Sequence, residues 1–167
     1  IVVALRGATL FTVGDLDPGR GKAGTAASGG VQVESARLQM VESPAFTDDF
    51  MREAGEASPW EGVDGQWSTT TVGDVKKSAN GFSYSGTGEP ALAVAGNSFW
   101  DDYVFQASFK CREPEGAAGL CLYYQGAGDH VLLRCAPGDP NRVELVRAVS
   151  GRETVLRSEA VPAAEGK

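Results

Sequence analysis

The chain has 167 residues, a formal net charge of −7, 42 % hydrophobic residues and 22 % charged residues. That balance excludes a disordered chain, and the acidic charge excludes the basic face that nucleic-acid binding requires. No apolar run approaches the roughly 18 residues of a membrane helix, and the length fits one domain with a sizeable core.

Long helical periodicity is absent. Short alternating runs punctuated by 22 glycines predict an all-β sandwich or barrel. I-V-V-A-L and T-L-F-T-V, from Ile1 to Val13, read as two short strands joined near Arg6-Gly7-Ala8. The absence of a basic leader and of an initiator Met predicts a chain that begins inside a longer precursor. Asp15–Gly19 has turn chemistry, because Pro fixes φ and Gly accepts positive φ. Val31–Val41 reads as one long strand whose alternation slips near Ser35-Ala36, the mark of a bulge. Glu42-Ser43-Pro44 is a connector, since proline cannot continue a central ladder.

A second block runs from Phe46 to Lys167. Thr47–Phe50 opens it, and Met51–Asp64 is polar enough to be loop, with Trp60 exposed in it. Gln66–Val72 is a Thr-rich strand. Gly81–Tyr84 and Ala91–Ala95 flank an expected turn at Gly86–Pro90. Tyr103–Cys111, Leu120–Gln125 and Val131–Cys135 suggest a meander, followed by a hairpin of Val143–Val149 with Thr154–Arg157.

F-T-D-D-F at Phe46–Phe50, W-D-D-Y at Trp100–Tyr103 and G-L-C-L-Y-Y at Gly119–Tyr124 together resemble a concanavalin A-like lectin/glucanase domain of bacterial extracellular proteins. The resemblance implies an antiparallel jelly-roll β-sandwich. It makes 46–167 the main part of the sandwich. Residues 1–41 then resemble the family's closing strands, belonging to a preceding tandem copy or permuted onto the same sandwich. Two strands cannot bury a face alone, so they are expected to pack onto the sandwich of 46–167. Location outside the cell or in the envelope also follows only from the resemblance.

The fold hosts enzymes and inert binders, and the acids decide between them. Retaining glycosidases need two carboxylates about 5 Å apart, which relatives of this fold place on one strand as E-x-D-x-x-E. No such run exists. Asp48-Asp49 and Asp101-Asp102 are adjacent pairs, so an extended backbone sends their side chains to opposite faces. The chain is therefore expected not to be an enzyme, and a divergent glycoside hydrolase is the least favoured reading. The expected function is a non-catalytic module of a larger protein that contacts a glycan or a protein neighbour. The alternative is a structural repeat or subunit of an assembly with no small ligand.

Candidate ligand-binding residues are Trp60, Tyr123, Tyr124 and Arg134. A pyranose stacks on an exposed aromatic, and of two adjacent strand tyrosines one faces outward. Core packing is the competing role for each aromatic, Trp67 and Trp100 included. Asp48 and Asp49 fit two readings: backbone caps at the start of a strand, or ligands of a structural calcium with carbonyl oxygens. In the second, Glu34 stands where the resemblance places an Asp. His130, the single histidine, sits in a Gly-rich turn without a nucleophile beside it. Of the three cysteines, Cys121 and Cys135 face each other if the turn centres on Gly128, so either they form a disulfide or all three are buried thiols.

Overall fold

The computed structural model describes residues 2–5, 8–12, 22–40, 46–53, 55–71, 81–111, 116–138 and 140–161. The expected turn at Asp15–Gly19, the connector at 42–44 and the tail after 161 lie outside them. The protein is all-β, with no helix among the described residues. Among the described residues twelve strands follow one another: β1 Val2–Leu5, β2 Ala8–Thr12, β3 Lys22–Ser28, β4 Val31–Met40, β5 Phe46–Asp48 and β6 Trp60–Thr71, then β7 Phe82–Ala95, β8 Tyr103–Cys111, β9 Ala117–Gly126, β10 Asp129–Ala136, β11 Asn141–Val149 and β12 Arg152–Val161.

β1 and β2 form their own antiparallel pair. The other ten strands make one curled antiparallel sheet. Its main path runs β12-β11-β10-β9-β3-β7-β4-β5, with β6 beside β7 and β8 beside β4. Residues 22–40 thus lie in the same sheet as the strands after Phe46. β3 and β4 run in one direction along β7, pairing Ala27 with Ala91 and then Val31 with Gly86. Between them the chain bends at Gly29, with φ of 87°, and Gly30. On its other edge β3 pairs β9, and beyond the bend β4 pairs β8. The bend therefore sends the two halves of the sheet apart, as strands that switch layers do.

The halves close over a common core. Tyr103 and Phe105 of β8 pack onto Leu122, Val131, Val143, Leu145 and Val161, with Val3 of β1 in the same cluster. Phe105 also belongs to the group around Val33, Ala36, Phe50, Trp60 and Tyr84. This curled all-β arrangement is compatible with a jelly roll.

Three expectations need correcting. The strand expected from Gln66 begins at Trp60, so Trp60–Asp64 is ladder and not loop. The expected turn at Gly86–Pro90 lies inside β7, which is continuous from Phe82 to Ala95. Its glycines serve a close crossing: a Cβ on Gly65 of β6 would lie 2.6 Å from the Thr87 carbonyl oxygen, and one on Gly88 2.9 Å from Gly65 Cα. The expected meander begins at β9, because β8 pairs with β4. Alternation reports one buried face per strand, and it reads the same whether the next strand lies beside it or across the core. The bulge expected near Ser35 is present as a register shift between Val33 and Ser35 against β8.

Candidate functional site

The F-T-D-D-F segment forms a packing hub. β5 ends at Asp48 and the chain turns sharply, with Phe50 at φ 60°. That turn drives the Phe50 ring fully into the core, stacked on Tyr84 at 5.5 Å. The Asp48 carboxylate, only 5 % exposed, is surrounded by donors. It accepts from the Phe50 amide at 2.8 Å, from Arg52 at 3.0 and 2.5 Å, and from the Trp60 indole N–H at 2.8 Å. The Arg52 guanidinium also sits 5.6 Å from the Phe50 ring centre, and its hydrogen bonds to Asp48 raise its pKa further. Four donors on two oxygens make Asp48 a counter-ion and cap.

Trp60 is therefore buried, 6 % exposed, where the loop reading expected it outside. Its face is taken by Phe46, Phe50 and Tyr84. Asp49 points to solvent and caps the Met51 amide at 3.0 Å. Glu34 is exposed on β4. Among the described residues no three acidic, His or Cys side chains gather into a metal-holding group, so Asp48, Asp49 and Glu34 do not form one.

The other candidates lie on β9 and β10. Tyr123, at φ 51°, marks a bulge where the ladder to β10 slips between Asp129 and Val131. Its ring packs on Tyr103 at 4.9 Å, and its amide donates to the Tyr103 hydroxyl at 2.8 Å. Tyr124 goes to the opposite face, where it joins the buried cluster of Leu92, Val94 and Cys121 with Leu132 and lies 6.1 Å from the His130 ring. The two adjacent tyrosines thus divide between the faces.

Alternation along β10 puts Arg134 on the same face as Leu132. Arg134 donates to Glu144 of β11 at 2.8 and 3.2 Å, and its other terminal nitrogen lies 3.5 Å from Glu153 of β12. Arg134 and Glu153 border a cleft of about 160 Å³ that is also lined by Ala26, Pro90, Gly119 and Leu132. The floor is low because Ala26 and Gly119 are opposite each other and carry almost no side chain. Such a depression, apolar below with Arg134 and Glu153 at its rim, can hold a small polyhydroxylated group.

Sequence reasoning found Arg134 but missed Glu144 and Glu153. Both acids reach it across strands, so their pairing depends on register. The alternation of Val131, Leu133 and Cys135 and of Val143 and Leu145 fixes only the faces, and the ladder itself sets Arg134 opposite Glu144. The two carboxylates lean on one guanidinium.

Of the two readings open for the cysteines, the structure holds free thiols. Cys121 is opposite Leu132, and Cys135 opposite Ala118. The turn at Ala127-Gly128 is combined with the Tyr123 bulge, which shifts the register and puts the two thiols on opposite faces. All three cysteines are free.

Comparison with protein-family models, curated proteins and solved structures gives no match to this chain.

Proposed function

We propose that the chain is a non-catalytic, lectin-like module of a larger extracellular or envelope protein, built as a jelly-roll sandwich and contacting glycan at the cleft beside Arg134. The observation that carries this reading is the placement of Tyr124, Leu132 and Arg134 on one face, beside the cleft floored by Ala26 and Gly119. A sugar presents apolar C–H patches and hydroxyl pairs. Tyr124 and Leu132 suit the first, and the Arg134–Glu144–Glu153 network suits the second with fixed, charge-assisted partners. The test is a glycan array followed by titration calorimetry on any hit. Tyr124→Ala and Arg134→Ala should each weaken binding at least about tenfold, the loss of one good contact. An array without hits, or binding untouched by both changes, overturns the reading.

A structural subunit is the second reading, favoured by the exposed Val149, Val155 and Leu156 of the β11–β12 hairpin. Apolar side chains gathered at one edge suit burial against a neighbouring subunit. Sizing chromatography separates the two, since a concentration-stable multimer dispersed by Val155→Lys supports the subunit and a monomer supports the binder.

A further inference from the structure

The bend between β3 and β4 folds one row of residues back on itself. On the first half, Cys135 of β10 is opposite Ala118 of β9, and Ala118 is opposite Ala27 of β3. Beyond the bend, Val31 of β4 is opposite Cys111 of β8. Ala27, Val31 and Ala118 form one buried cluster, with Cys111 packed against it. The row thus closes into a V with a thiol at each end, and the alanines at its centre let the two arms approach.

From this geometry we infer that Cys111 and Cys135 are a dithiol pair that closes to a disulfide across the core when a small-molecule disulfide is supplied. Both thiols are half-buried, so the reagent can reach them, whereas Cys121 is fully buried and faces the other side of β9. Cys111 is the last residue of β8, where the ladder ends. Burial raises the Cys135 thiol, and the nearby Cys111 adds to that rise, which agrees with their closeness.

The chemistry balances. One cysteine gives up its proton, and its thiolate attacks the small disulfide, forming a mixed disulfide and releasing one small thiol. The second cysteine gives up its proton and attacks the protein sulfur of the mixed disulfide, releasing the other small thiol. The protein loses two hydrogens and two electrons, and the reagent is reduced to two thiols. The bond would tie β8 to β10, which no ladder joins.

The native chain is incubated with oxidised glutathione, quenched in acid, and read by intact mass and non-reducing peptide mapping. The expected result is a product lighter by two hydrogens with Cys111 linked to Cys135, formed fully by the wild type and by Cys121→Ser. Cys111→Ser and Cys135→Ala should give none of it. Circular dichroism matched to wild type shows that each variant is folded. A cross-link that includes Cys121 overturns the proposal. So does a wild type that stops at the mixed disulfide or remains unmodified.

Discussion

The Trp60 indole N–H donates to the Asp48 carboxylate at 2.8 Å, tying the first residue of β6 to the last residue of β5. The same carboxylate neutralises Arg52, whose side chain is 14 % exposed. Removing the acid leaves a sequestered guanidinium and an indole N–H without their acceptor. Asp48→Ala should therefore destabilise by about 3 kcal/mol, the lower end for breaking a buried pair because Arg52 retains some solvent. Asp49→Ala, one residue on and exposed, should cost no more than about 1 kcal/mol. Urea unfolding midpoints of the two variants make the comparison.

Trp60→Phe separates the hydrogen bond from the packing. A phenyl ring can still meet Phe46, Phe50 and Tyr84, whose centroids lie 5.7, 5.9 and 6.0 Å from the indole. The loss should be about 1.5–3 kcal/mol, the value of a bond to a charged acceptor. Trp60→Ala should lose about 3–5 kcal/mol, because it also opens a cavity. Equal losses in the two variants, measured by urea unfolding, would show that the Asp48 bond dominates.

Much of the β content was legible because alternation and Gly-rich punctuation are local signals. The hairpin of β11 and β12, turning at Ser150-Gly151, and the bulge in β4 were read from them. Strand partners were less legible. β8 looks the same in sequence whether it pairs with β9 or faces it, and only the three-dimensional path of β3 and β4 decides. Trp60 was misread because its flanks, Ser58-Pro59 and Glu61, are exposed and polar. The burial of Trp60 comes from Asp48, twelve positions away, which no local window includes. In the candidate site, Tyr124 and Arg134 were visible as residue types. Their acidic partners and the bare floor at Ala26 and Gly119 depend on register across β3, β9, β10 and β11.

Alkaline pH should loosen the fold. Burial raises the Cys135 thiol from its ordinary value of 9.0 to about 11. The Tyr103 hydroxyl is raised as well, by burial against the β9 layer. A raised acid keeps its proton in the folded chain after the unfolded chain has lost it. The stability linked to Cys135 is thus fully present below pH 9 and is lost as pH climbs through 11. Urea midpoints measured between those limits should fall, and Cys135→Ala should make the decline shallower. A profile of unchanged slope in that variant would remove Cys135 as a cause.

Gly119 joins the packing of the sheet to the shape of the cleft. It lies opposite Ala26 on one side and Arg134 on the other. A Cβ added there would fall onto the Leu133 carbonyl oxygen, which is backbone and cannot rotate away. The β9–β10 pair must then part, and Arg134 moves with it. Gly119→Ala should destabilise by about 1–3 kcal/mol, the usual range for overpacking, and should also reduce whatever binding Arg134 supports. Gly126, at the end of the same strand, has nothing within 4 Å of an added Cβ. Gly126→Ala should stay within about 0.5 kcal/mol of wild type. Thermal unfolding of both variants tests the packing, and titration of a bound glycan tests the cleft. A Gly119→Ala protein as stable as Gly126→Ala would mean that the strands separate there at no cost.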